Sequence, residues 1–267
     1  LEEKESLNDP SPILTNDEYT FDNFIVGSSN KLAYAACTAI AKNSSSSFNP
    51  LFIYGDSGLG KTHLLYAIIN SMKANFPKKN IVYIKGDDFT NELVSSIANE
   101  DTLSFRNKYR KADVLLIDDI QFLESKTYTM EEIFHTFDSL HNKNKQIVIT
   151  SDRLPKDIPT LPDRLRTRFE MGLMVDITPP DFETRVAILK NLAEQANVAE
   201  FRKDITAFMH AAKDVFEYIA KNFVNNVREL EGAFNKVSAY ADIEKTDLTL
   251  EFAKKVLNCE SMKQEIT

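Results

Sequence analysis

The sequence predicts an α/β fold in which a five-stranded parallel sheet lies between helices and a small all-helical domain follows. Three observations carry this. Short runs that are apolar throughout alternate with helix-length amphipathic segments, the pattern of strands covered on both faces. A glycine-rich stretch joins the first of those runs to a helix. After Pro179–Pro180 only helical periodicity remains, and Gly232 is the one glycine over 181–258.

Taken in order, residues 1–18 lack apolar periodicity and read as a tail or linker. "SSNKLAYAACTAIAKN" (28–43) opens on Ser/Asn caps and is apolar at helical spacing. "LFIY" (51–54) reads as a buried strand, and a helix follows over 61–75. "NIVYIKG" (80–86), "DVLLIDDI" (113–120), "KQIVITSD" (145–152) and "LMVDITP" (173–179) read as the remaining strands. Helices are expected at 87–99, 102–112, 128–144 and 161–172 between them. The expected division is a nucleotide-binding α/β domain over 19–179, a helical domain over 180–260, and the start of a further segment at 261–267.

Composition narrows the function. The chain has 267 residues, 43% apolar and 27% charged, an ordinary balance for a folded protein of one large or two modest domains. No run of 18 apolar residues occurs, so no membrane span is expected, and the predicted location is cytoplasmic. The acidic start "LEEKESLNDP" is unlike a signal peptide and has no initiator Met, so an excised or trimmed chain is expected. A net charge of −8 argues against a general DNA-binding surface and requires any nucleic-acid contact to be local. Cys37 and Cys259 read as free thiols rather than a disulfide, and the four scattered histidines predict no protein-held zinc.

Three of the seven glycines fall within Gly55-Asp-Ser-Gly-Leu-Gly60-Lys61-Thr62, which fits G-x-x-x-x-G-K-[ST] between a strand and a helix. Without Cβ atoms the backbone can turn its N–H groups inward around a phosphate, and the helix N-terminus adds unpaired donors. Gly58, Leu59, Gly60, Lys61, Thr62 and His63 are therefore the expected phosphate-binding run, with Lys61 on the β- and γ-phosphates and Thr62 on Mg²⁺. Such a loop needs an acid ending a neighbouring strand. Asp118 in "LLIDDI" suits the metal, and Asp119 is placed to polarise the attacking water. At the tip of the next strand, Thr150, Ser151 and Asp152 are all candidates to orient water or sense the γ-phosphate, with Asp152 carried forward as the nucleotide contact.

"YTFDNFIVGSSNKLAYAA", "NPLFIYGDSGLGKTHLL", "VLLIDDIQFL", "QIVITSDRLPKDIPTLPDRLRTRFEMGL" and "NVRELEGAFNKVSAYA" resemble the AAA+ ATPase core of the DnaA family, bacterial replication initiators, from about Tyr19 to Leu257. The resemblance implies a slow ATPase binding ATP or ADP with Mg²⁺, which assembles with itself when ATP-bound and helps melt origin DNA. It implies that Phe21 to Gly27, with Phe24 and Val26, line the adenine pocket. Arg168 would be the arginine finger reaching a neighbouring subunit's γ-phosphate, Arg164 its companion, and Arg228 the lid arginine contacting phosphate within the same chain. Alone, "DRLRTRF" reads as a solvated basic turn with Arg164 pairing Asp163, and Arg228 as a surface partner of Glu231.

The resemblance also makes the helix pair 87–112 a gripping element for single-stranded DNA. Val94 would be an apolar contact, with Arg106, Lys108, Arg110 and Lys111 on phosphates and Tyr109 as a stacking candidate. An ordinary solvated face is the plainer reading of those charges. Lys126 matches the family's basic pore pair, whereas Tyr128 stands where an arginine is expected. The stretch 197–213 is longer than the family's usual lid link. The chain stops about where a C-terminal domain reading double-stranded origin DNA would begin. Further implied partners are a replicative helicase or its loader. Two alternatives remain open on the motifs: an adaptor regulating the initiator, and a helicase loader.

Overall fold

The computed structural model describes residues 18–42, 48–195 and 212–258. The expected tail, most of the long stretch 197–213, Cys259 and the segment 261–267 lie outside the described residues. The elements in chain order are α1 (Lys31–Ala41), β1 (Leu51–Tyr54), α2 (Lys61–Asn75), β2 (Ile81–Lys85), α3 (Gly86–Ala98), α4 (Thr102–Arg110), β3 (Val114–Asp118), α5 (Thr127–His141), β4 (Gln146–Ser151), α6 (Asp163–Glu170), β5 (Leu173–Asp176), α7 (Phe182–Gln195), α8 (Lys213–Asn222), α9 (Val227–Glu244) and α10 (Leu250–Asn258). Each element expected over the described residues is present, with ends shifted by a few residues.

The five strands form one sheet in the order β2-β3-β4-β1-β5. β2 pairs parallel with β3, and β3 parallel with β4. The apolar runs explain this. Every residue of β3 is buried, as a parallel strand covered by helices on both faces must be. Fully burying each Leu or Ile there contributes roughly 1.5–3 kcal/mol.

Two departures from the expected elements follow from local chemistry. β5 ends at Asp176 rather than 179, close to where two prolines withdraw their backbone donors. β3 ends at Asp118 because Asp119 turns left-handed, at φ +53, and starts a short 3₁₀ turn over Ile120–Leu123.

Contacts divide the chain into two compact units that are not consecutive in sequence. One comprises Leu1–Phe21, Cys37–Phe52 and Thr62–Met174, the other Asp22–Ala36, Ile53–Lys61 and Val175–Thr267. In the first, α2 buries Leu64, Leu65, Ile68 and Ile69, and Phe52 stacks on Phe169 at 5.7 Å. Cys37 is a buried free thiol, and burial pushes its pKa up. In the second, α7–α10 close a separate core around Leu189, Phe216, Ile219, Leu230, Phe234 and Val237. Arg185 of α7 staples that bundle by donating to the Ala220 carbonyl at 2.7 Å. No described helix is long and apolar enough to cross a membrane.

Candidate nucleotide-binding site

The glycine loop belongs to the second unit. Gly58 and Gly60 adopt φ +80 and +95, conformations that side chains rarely take. A Cβ on Gly60 would stand 3.0 Å from the Phe24 ring, and one on Gly58 would meet Asn226 and Arg228 at 3.1–3.3 Å. The loop therefore turns tightly and is hugged on both sides. Lys61 is nearly buried, and its Nζ donates to the carbonyls of Gly55 (2.6 Å) and Asp56 (2.9 Å). The ammonium is thus folded into the loop it follows, where a phosphate would meet it. Leu59 buries its side chain, so its backbone is what it can offer a ligand.

The start of α9 is fastened to the same loop. Asn226 caps α9 by accepting from the Glu229 N–H, and the Val227 N–H donates to the Gly58 carbonyl at 3.0 Å. One residue on, Arg228 donates to the Ser57 hydroxyl at 3.1 Å. The plainer expectation for Arg228, a side-chain pair with Glu231, holds as an electrostatic interaction that acts to lower the Glu231 carboxyl, and the bond to the loop is additional to it. Phe24 is buried and stacks on Tyr34 at 5.9 Å, while Val26 is exposed. Asn30 shapes the turn between them and α1, accepting from the Gly27 N–H and donating to the Ile25 carbonyl.

In the first unit, Thr62 is the second residue of α2, and its hydroxyl donates to Asp118 Oδ2 at 2.8 Å. Asp118 is fully buried. Its hydrogen-bond partners among the described residues are neutral hydroxyls: Thr62 and Tyr83 on Oδ2, the latter at 3.0 Å, and Thr150 on Oδ1. Strand register explains the set. Ile117 pairs with Ile149, so the next residues along are Asp118 and Thr150. Lys85 pairs with Asp118, and Tyr83 stands two residues back on the same face, within diagonal reach of a long side chain. Burial, and then the Asp118 charge, push the Tyr83 phenol up, which keeps it a proton donor.

A hydroxyl and a buried carboxylate solvated by neutral donors are hard oxygen ligands of the kind Mg²⁺ prefers, so these residues fit that ion. Among the described residues no group of three or more His, Cys, Asp or Glu could hold a metal, so the ion's remaining ligands would come from phosphate and water.

At the β4 tip the candidate side chains have different partners. Thr150 reaches Asp118, whereas the Asp152 carboxylate is turned to Arg153 at 2.7 and 2.9 Å. The strand has ended at Ser151, and the chain has turned away before Asp152. Asp119 points elsewhere than Asp118 because of its left-handed backbone. Its N–H donates to Thr150 Oγ1 at 2.9 Å, and its carboxylate accepts from Gln121. Gln121 also accepts from the Asp152 N–H, so it ties the two strand ends together. His63 is engaged with the Thr20 carbonyl at 2.8 Å and stacks on Tyr19, leaving its backbone as the part near the loop.

The arginines of α6 are held by α5. Arg168 donates to Asp138 at 2.7 Å and Arg164 to Glu131 at 3.2 Å, and both guanidinium groups lie over the Phe134 ring, at 5.3 and 4.5 Å. The pair expected between Arg164 and Asp163 does not form; Arg166 takes Asp163 instead, at 2.7 Å.

The charges of α4 face inward more than expected. Arg106 and Arg110 both donate to Glu132, which is buried on α5, and Lys108 donates to Glu92 at 2.8 and 2.9 Å. Tyr109 is fully buried between Phe89 and Phe105, with its hydroxyl on Glu92, so it is packing and cannot stack on a base without unfolding. Val94 and Lys111 are exposed, and Lys126 donates to Thr90 at 3.4 Å. Tyr83, Thr150 and Gln121 are the members of this constellation that motif reading passed over or left unresolved. The signal for Tyr83 was present as a lone hydroxyl in the apolar run "IVYI".

A glycine loop ending in Lys-Thr, a buried acid at the end of a parallel strand, and the sheet order β2-β3-β4-β1-β5 define a P-loop ATPase of the AAA+ class. More narrowly, the chain belongs to the DnaA family: residues 15–176 match the family model described as the bacterial DnaA ATPase domain. A chromosomal replication initiator protein DnaA from Caldanaerobacter subterraneus subsp. tengcongensis is 50% identical over 256 residues, 96% of this chain and 55% of the relative. The chain thus spans about half the length of the curated relatives it matches. Domain III of the Thermotoga maritima replication initiation protein DnaA superimposes with a TM-score of 0.83 at 42% identity, covering 91% of this chain and 97% of that one. A replication initiator DnaA solved bound to AMPPCP and single-stranded DNA aligns with a TM-score of 0.73 at 35% identity, over 87% of this chain and 70% of that one.

Proposed function

We propose that this chain is the nucleotide switch of a chromosomal replication initiator. ATP with Mg²⁺ promotes its self-assembly into a filament that engages and helps melt origin DNA, and slow hydrolysis resets it. The observation that carries the reading lies in two adjacent residues. Lys61 folds its ammonium into the glycine loop, and Thr62 sets its hydroxyl on the buried Asp118.

In this reading the loop amides and Lys61 bind the β- and γ-phosphates, and Arg228 follows the loop through Ser57. Thr62 and Asp118 would hold Mg²⁺, which neutralises charge on the phosphate oxygens. Thr150 is the residue at the β4 tip that orients Asp118, and Asp119 orients water. Arg168 acts on a neighbouring subunit's nucleotide and must first leave Asp138. Few groups are available for chemistry, and one of them comes from another copy, which suits a slow, assembly-gated ATPase.

The α/β part over 19–179 serves as the nucleotide domain and 180–260 as its lid. Single-stranded DNA is gripped around Val94, Lys111 and Lys126, with Arg106, Lys108 and Arg110 available once they exchange carboxylates for phosphates. The relative solved with AMPPCP and single-stranded DNA supports this reading. Double-stranded origin DNA and the helicase or its loader are further partners in the same cytoplasmic process.

The direct test is Lys61→Ala by calorimetry. Affinity for Mg-ATP should fall at least about 100-fold, the loss expected for a charge-assisted contact of roughly 3 kcal/mol. Undiminished binding would overturn the nucleotide reading.

A further inference from the structure

We propose that Tyr83 is a positioning residue for the Asp118 carboxylate and thereby sets how strongly the site takes a divalent cation. The proposal rests on the nucleotide-site reading above.

Asp118 Oδ2 receives two hydroxyls, Thr62 from α2 at 2.8 Å and Tyr83 from β2 at 3.0 Å, while Oδ1 receives Thr150 from β4. A carboxylate joined to the strand through two rotatable bonds would turn freely with one donor. Three donors from three elements fix its plane, so that Oδ2 faces the hydroxyl expected to ligate the metal. Of the three, Tyr83 comes from β2, a strand that contributes nothing else to the carboxylate.

Packing alone does not account for the phenol. The β2 run is Ile81, Val82, Tyr83, Ile84, and a Phe ring would fill the same volume without the half-buried hydroxyl, which here is bonded to Asp118 and also interacts with Tyr66. The ring is itself held: it packs on Tyr66 at 4.9 Å, and Tyr66 lies 5.9 Å from Tyr19. Its oxygen is therefore delivered to Asp118 from a fixed platform, the arrangement by which outer groups orient metal ligands.

The test is Tyr83→Phe in the full chain, which keeps the ring packing and removes the hydroxyl's bonds to Asp118 and Tyr66, with Tyr66→Phe as the control that spares the bond to Asp118. Binding of a fluorescent ATP analogue is titrated with Mg²⁺ and, separately, measured in excess chelator. Mn²⁺ paramagnetic resonance reports the metal directly. We expect the Mg²⁺ concentration for half-maximal binding to rise by about ten-fold, the loss of one hydrogen bond to a charged carboxylate, with metal-free nucleotide affinity unchanged. An unchanged cation requirement overturns the proposal. So does an equal fall in metal-free and metal-dependent affinity, because that is what general loosening of the sheet would produce. Wild-type protein that binds no nucleotide under either condition overturns the nucleotide reading, and the proposal with it.

Discussion

At the scale of single residues, function here depends on which side chains neutralise one another. Lys61 solvates its ammonium with two carbonyls of its own loop, and Asp118 solvates its charge with hydroxyls. Those partners are neutral groups, which solvate a charge without cancelling it. His63 shows the same economy in a neutral group. Its Nε2 lies 2.8 Å from the Thr20 carbonyl, which a protonated nitrogen satisfies, and burial lowers its pKa from 6.5. As pH falls, the unfolded chain takes up the proton first. The folded state is therefore favoured fully above about 6.5 and loses stability between that value and the lowered one. Melting temperatures at pH about 7.5 and about 5.5 should differ more in the wild type than in His63→Gln. Equal differences would show that His63 contributes nothing to the acid sensitivity.

At the scale of elements, α5 is the rod to which two functional helices are tied. Glu131, Phe134 and Asp138 recur at i, i+3 and i+7, so they share one stripe and hold Arg164 and Arg168 of α6. Glu132 lies about 100° around the helix and holds Arg106 and Arg110 of α4. Glu132 is 4% exposed while its arginines are 43% and 28% exposed, so removing the carboxylate leaves cations that can still reach water. Glu132→Gln should therefore cost about 2 kcal/mol rather than the larger loss of a fully buried pair. That corresponds to a melting temperature lower by roughly 4–8 °C. It should also release Arg106 and Arg110, so binding of a short single strand should be retained or strengthened in the folded variant. Differential scanning calorimetry and fluorescence anisotropy read the two effects separately.

At the scale of the whole molecule, the expected behaviour is assembly. Arg168 is 35% exposed in its pair with Asp138, so it is held yet within reach of another copy. Arg168→Ala should keep ATP affinity and lose ATP-dependent association in sedimentation if, as proposed, it acts on the neighbouring site. Loss of nucleotide binding by the variant would place Arg168 in its own chain's site instead. The glycine loop counts with the helical C-terminal part, and Thr62, one residue after Lys61, counts with the acid and the α4–α6 scaffold.

The positions of the five strands along the chain, the phosphate loop and the helical C-terminal part were legible in the chain itself, because they rest on local rules; the order of the strands in the sheet was not. Apolar runs of four to six residues, glycines before Lys-Thr and helical periodicity after two prolines need no knowledge of distant neighbours. What the tertiary structure alone decided was which polar side chains meet. Thr150 rather than Asp152 reaches Asp118, Tyr83 joins them from another strand, and Glu132 claims two arginines that read as free surface charge. Those outcomes turn on strand register and helix facing, where one residue's shift reverses a side chain's direction, and neither is encoded in any short stretch of sequence.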